Sequence, residues 1–138
     1  MSSARTDSLG IWKDARGEVE VLRLRPSLAY IRMVGVAGEP AGQLIERIFA
    51  KEFASPPRLY TFWDLRDLQN YHSEVRIRST HALLASRARL QSVHAFSRNR
   101  LVAMGVSVAN LAMGGIIKAH TSAETFDAAL EQTLRQET

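Results

Sequence analysis

Leu59-Tyr60-Thr61-Phe62-Trp63-Asp64-Leu65 is the stretch whose reading decides the architecture. Residues 59–63 form a short, aromatic-rich apolar run, bounded upstream by Pro56-Pro57 and closed by Asp64. Such a run reads as a central strand buried on both faces. Upstream of it, Pro40 sits where a helix begins, and Leu44, Ile45, Ile48 and Phe49 recur at helical spacing with charged residues between them. Before that helix, alternation in 18–23 and the runs 9–12 and 28–34 predict three strands, with Asp14-Ala15-Arg16-Gly17 and Pro26-Ser27 as turns.

Downstream, the pattern predicts a helix over about 73–90, a strand over 92–96 and a helix over about 99–113. A strand over 116–120 and a last helix follow, opening with Thr121-Ser122-Ala123-Glu124 in the manner of a capping box. From residue 28 onward, strand and helix alternate four times, which implies right-handed crossovers. The N-terminal strands are antiparallel. The expected fold class is therefore α/β, a mixed, mostly parallel sheet with packed helices.

The composition fits this reading. The chain has 138 residues, 46% hydrophobic and 23% charged, as expected for one globular domain over 1–138 with residues 1–8 flexible. With no cysteine, disulfides, a Cys-ligated metal and a Cys nucleophile are excluded. The polar N-terminus has no secretory h-region, and the longest apolar stretch, 101–117, is too short to span a bilayer. The expected location is the cytoplasm. The balance of 18 Lys+Arg against 14 Asp+Glu gives net +4, but Arg76, Arg78, Arg87, Arg89, Arg98 and Arg100 form no single stripe. No specific nucleic-acid partner is expected.

No catalytic constellation emerges. His72, His81, His94 and His120 are far apart in sequence and lack metal-ligand spacing, so no metal and no cofactor are expected. His81 falls on the stripe Ile77, His81, Leu84, Ala88 and reads as a core histidine. Gly105-Val106-Ser107 resembles a nucleophile elbow but lies inside a helical pattern. Gly35-Val36-Ala37-Gly38 matches no phosphate-binding fingerprint and reads as a turn. Asp64 and Asp67 read as the end of a strand and the start of a turn.

Two helices carry more apolar surface than one sheet contact needs. In 73–90, Leu83 and Leu90 project away from the expected core stripe, towards Arg76 and Arg87. In 99–113, Leu101, Met104, Val108 and Leu111 form one apolar face and Val102, Val106, Ala109 and Met113 another. One of those two faces is expected to meet a partner. Gly105 in mid-helix would let another backbone come close.

The succession from Leu28 to the C-terminus resembles a STAS domain, the fold of the SpoIIAA-like anti-sigma factor antagonists. That family carries a strand ending in Asp-Leu, a hydrophobe, then Asp-Ser-Ser/Thr-Gly at the start of a helix. Here Asp64-Leu65 and Leu68 match, while His72-Ser73-Glu74-Val75 stands in the last place. The resemblance implies a non-enzymatic regulatory module of bacterial signalling that binds a protein partner, with Ser73 where the family is phosphorylated. Read as a helix N-cap, Ser73 would gain charge beside Arg76 on phosphorylation. The partner-binding residues expected on this reading are His72, Glu74, Arg76, Leu83, Arg87, Leu90, Met104 and Leu111. The partner is another protein or a second copy; a small-molecule or lipid-binding protein on the same fold is the alternative.

Overall fold

A computed structural model describes residues 7–136. Three strands, β1 (Asp7–Lys13), β2 (Gly17–Arg25) and β3 (Leu28–Ala37), form an antiparallel meander. Helix α1 (Glu39–Glu52), strand β4 (Leu59–Tyr71), helix α2 (Ser73–Ala85) and strand β5 (Leu90–Ser97) continue the chain. Helix α3 (Arg100–Ala112), strand β6 (Ile117–His120) and helix α4 (Ala123–Gln136) complete it. The six strands lie in chain order, β3 to β6 all parallel, so the sheet is mixed and mostly parallel. β4 is central, between β3 and β5, as its aromatic run requires.

Alternation along β4 divides the core. Leu59, Trp63 and Leu65 face one side with Val19, Ile31 and Val93, and α1, α2 and α3 cover that side. Phe62 faces the other with Leu28 and Phe96, closed by Phe126 of α4. On the first side, α1 buries Ile45, Ile48 and Phe49 of the row its sequence period announces, with Ala41 beside them, while Leu44 is partly buried. Gly42 lets α1 approach the start of α2: a Cβ there would sit 2.8 Å from the Glu74 carbonyl oxygen.

Several sequence expectations need correction. β4 does not stop before Asp64. It runs on to Tyr71, pairing with β3 through Ala37, so Asp64 and Asp67 lie within a strand rather than at a turn. The second helix ends at Ala85, and Leu90 opens β5. Of the residues expected to be flexible, 1–6 lie outside the described residues, while Asp7 and Ser8 pair with Arg23 and Leu22.

The sheet-facing stripe of α2 is also a different one. Val75, Ala82 and Leu83 are buried, whereas His81 and Leu84 are exposed. Where β4 ends sets this phase. The chain turns at His72 and brings Val75 down onto the sheet, and every later position follows. Leu83 and Leu90, expected at a partner surface, therefore belong to the core.

Candidate functional site

Helix α3 is held at both ends by asparagines. Asn99 is its N-cap: Oδ1 accepts from the Val102 N–H at 3.0 Å, and Nδ2 donates to the Gln69 carbonyl at 3.0 Å. Asn110 Oδ1 accepts from the Ile117 N–H at 2.8 Å and ties the helix end to β6. These tethers fix the rotation of the helix. Val102 and Met113 point inward at 2% and 1% exposure. Leu101, Met104, Val108 and Leu111 point outward, Met104 at 60% and Leu111 at 84%. The sequence offered two apolar faces without ranking them, and the outer one is this row.

Gly105 lies on the inner side under the Tyr71 ring, and any Cβ there would collide with the Tyr71 hydroxyl. What the glycine admits is thus a side chain from the end of β4, not another backbone. Beneath α3, between it, α2 and the sheet, lies an apolar cleft of about 80 Å³. Trp63, Tyr71, Ser79, Val93 and Val106 are among its walls. The Ser79 hydroxyl there is buried with no hydrogen-bond partner.

Three arginines are placed on or against α3. The helix contains no carboxylate, and Arg100 stands at its start. Arg87 donates to the Met113 carbonyl at 2.6 Å, and Arg76 lines the cleft. Arg87 is thus a tether between α2 and the end of α3.

At the start of α2, His72 rather than Ser73 is the N-cap: its Nδ1 accepts from the Glu74 N–H at 3.1 Å. Ser73 is exposed in the first helical position. The helix begins one residue before a Ser73 cap would start it: the Glu74 N–H goes to the imidazole and the Val75 N–H to the His72 carbonyl. Glu74 and Glu46 both pair with Arg78, at 3.3 and 2.8 Å, so Glu74 belongs to an α1–α2 ion-pair cluster. His72 reaches Glu39 at 3.9 Å. His81, expected in the core, lies at the surface 3.8 Å from Glu46.

On the opposite face the fold joins two histidines that are far apart in sequence. His94 Nδ1 lies 2.8 Å from His120 Nε2, and His120 Nδ1 lies 2.9 Å from Thr125 Oγ1. The His94 ring stacks on Phe62 at 4.7 Å. Burial lowers the pKa of His94 to about 4, helped by His120 and Lys118. That of His120 is lowered by burial and by Lys118. Parallel pairing of Phe96 with His120 brings the two strands into this register, which no local motif announces. Nearby, Asp64 accepts from the Tyr30 hydroxyl at 2.7 Å and from Arg66 Nε at 2.8 Å. Burial and that carboxylate raise the Tyr30 pKa. Among the described residues no three His, Asp or Glu side chains converge as a metal site.

No protein-family model and no curated protein matches the sequence. A solved structure matches in fold. It is an uncharacterized protein of the DUF3478 family with a SpoIIAA-like fold, from Shewanella loihica PV-4. The two superpose with a TM-score of 0.58 over 94% of this chain and 98% of that one, at 15% identity. The chain has the SpoIIAA-like, STAS-like fold. At that identity the likeness concerns the fold alone, and functional residues must be argued from this chain's own geometry. Among the described residues, no helix is long and apolar enough to cross a membrane.

Proposed function

We propose that the protein is a non-enzymatic interaction module whose docking surface is the outer face of α3. The observation that carries this reading is the row Leu101, Met104, Val108 and Leu111, exposed on a helix whose other face meets the core through Val102. Exposing four large apolar side chains side by side costs solubility, and in soluble proteins such a patch usually serves a partner. His72, Glu74 and Arg87 are engaged within the fold, so Met104 and Leu111 carry the surface among the expected partner residues. Ser73, exposed beside the start of α2, is where phosphorylation would add charge without breaking a cap.

The test is a photo-crosslinking benzoylphenylalanine placed at Met104, with His81 as the control position, in cells making the protein. Crosslinks are expected at Met104 and not at His81, and Leu111→Glu should abolish them. Absence of crosslinks at Met104, or their survival in Leu111→Glu, overturns the reading.

A second reading rests on the cleft beneath α3, whose apolar walls and orphan Ser79 hydroxyl suit a small apolar molecule with one polar group. At about 80 Å³ it is well below the roughly 300–1,000 Å³ of ordinary ligand sites, so α3 would have to move outward on binding. Titration with 1-octanol in a Trp12→Phe background tests it: saturable change in Trp63 emission supports the site, and an unchanged spectrum removes it.

A further inference from the structure

We propose that α4 is a pH-sensitive latch: protonation of the His94–His120 pair lifts it from the sheet and uncovers Phe62 and Phe96, while the rest of the fold stays closed. The device does not involve the α3 face. The apolar side chains beneath α4 form a cluster of their own, Leu28, Phe62, Phe96 and Phe126, separate from the larger cluster under α1, α2 and α3. Of the residues of α4, Phe126 and Thr133 are buried, and the Thr133 hydroxyl donates to the Ala129 carbonyl of the same helix. Leu130 and Leu134 are only partly buried. Lifting α4 therefore leaves the larger core packed, and an element with so few buried contacts opens more readily than the whole fold.

The catch is the first turn of α4. Phe126 sits among Tyr30, Phe62, Phe96 and His120, with ring centroids between 5.6 and 6.2 Å away. Beside it, Thr125 Oγ1 lies 2.9 Å from His120 Nδ1, and Asp127 reaches Arg66 at 3.6 Å. His120 shares one proton with His94 across 2.8 Å, and the two rings stack. A second proton sets two N–H groups face to face, and the rings must part. His94 is backed by Phe62 at 4.7 Å, so His120 is the ring that gives, and Thr125 and Phe126 move with it. The surrounding charges do not offset the proton. Lys118 of β6 opposes charge on both rings. Asp64 of β4 is taken by Arg66 and by Tyr30 of β3, Asp127 of α4 pairs with Arg66, and Glu124 and Glu131 of α4 are exposed. With α4 raised, water reaches both rings and they titrate near pH 6.5. The open state then binds protons that the closed state refuses, because burial holds His94 down to about 4. For His94 alone the open fraction should rise about 30-fold between pH 7.5 and 5.0, and His120 adds to it.

Hydrogen exchange of the purified full chain, followed by NMR at pH 7.5 and 5.0 and corrected for intrinsic rates, tests this. Amides of α4 should open more readily than those of β4 at both pH values, and their open fraction should rise about 30-fold on acidification. Trp12 and Trp63 both pack in the larger core, so tryptophan emission should stay native at pH 5.0. His94→Asn should reduce the rise in α4 to the part that His120 supplies. Amides of α4 that share one opening free energy with those of β4 would mean that the helix leaves only on global unfolding. That result, an open fraction independent of pH, a loss of native tryptophan emission at pH 5.0, or an undiminished rise in His94→Asn overturns the inference. If His94→Asn does not fold, exchange and emission of the native chain decide by themselves.

Discussion

Acid should unfold this protein through His94, and the effect can be worked from the structure. One proton lies between His94 Nδ1 and His120 Nε2 across 2.8 Å, and His120 Nδ1 lies 2.9 Å from Thr125 Oγ1. Both rings are neutral in this arrangement. A second proton between the two facing nitrogens would set two N–H groups face to face. A proton on His94 Nε2 would place a charge on a ring packed against Phe62, with the Lys118 ammonium nearby. Unfolded, both rings titrate near pH 6.5.

The sign follows from proton uptake. Above pH 6.5 His94 is neutral in both states and adds no pH dependence. Between 6.5 and about 4 the unfolded chain takes up a proton that the folded chain refuses, so stability falls as pH falls. At 1.36 kcal/mol per pH unit, the loss reaches about 3 kcal/mol below pH 4, a large part of the ~5–15 kcal/mol that stabilises a domain. His120 acts in the same direction. Urea unfolding at intervals from pH 7.5 to 4.5 measures the slope. His94→Asn, whose amide can replace Nδ1 as donor or acceptor but cannot titrate, should be less stable at pH 7.5 yet flatter through this window. Carboxylate titrations are common to both proteins and cancel in the difference. An unaltered slope in His94→Asn, or an NMR titration of His94 centred near 6.5, would refute the reasoning.

Three further outcomes are expected. His72→Ala should cost about 0.5–2 kcal/mol in urea unfolding, while Ser73→Ala should change stability by less than about 0.5, because the imidazole is the cap. Gly105→Ala should destabilise by about 1–3 kcal/mol despite alanine's better helix propensity, and Tyr71→Phe should recover part of that loss by removing the colliding hydroxyl. Leu83→Ala should cost about 2–5 kcal/mol and Leu84→Ala far less, as thermal unfolding would show if the stripe through Val75 is the buried one.

The fold was legible where residues have one environment to choose. The run ending at Trp63 can be stable only between two layers, and α1 shows one apolar stripe, so both read correctly from sequence. α2 was misread because it offers two stripes of similar quality, Ile77-His81-Leu84 and Val75-Ala82-Leu83, with arginines spread around the helix. Local periodicity could not decide between them. The choice is made by the last residues of β4, whose extension past Asp64 is held by pairing with β3, a long-range contact. The His94–His120 bond was hidden for the same reason, since parallel register is not written in either strand alone.

α3 is the instructive case, because the sequence displayed both its faces and the deciding residues were polar. Apolar content cannot orient a helix that is apolar nearly all round. Asn99 and Asn110 can, because each must satisfy backbone groups of a particular neighbour: the Gln69 carbonyl at the end of β4, and the Ile117 N–H at the start of β6. With both ends pinned, burying the outer row instead would break those hydrogen bonds and drive the Gly105 face off Tyr71. The outward row is therefore held in place by the fold and cannot be turned inward. A surface maintained against the hydrophobic effect in this way differs from a loosely packed helix, and the difference can be measured. Hydrogen exchange should show α3 as protected as the sheet beneath it, whereas exchange on the scale of frayed segments would mean that the exposed leucines reflect weak packing rather than a surface kept for a partner.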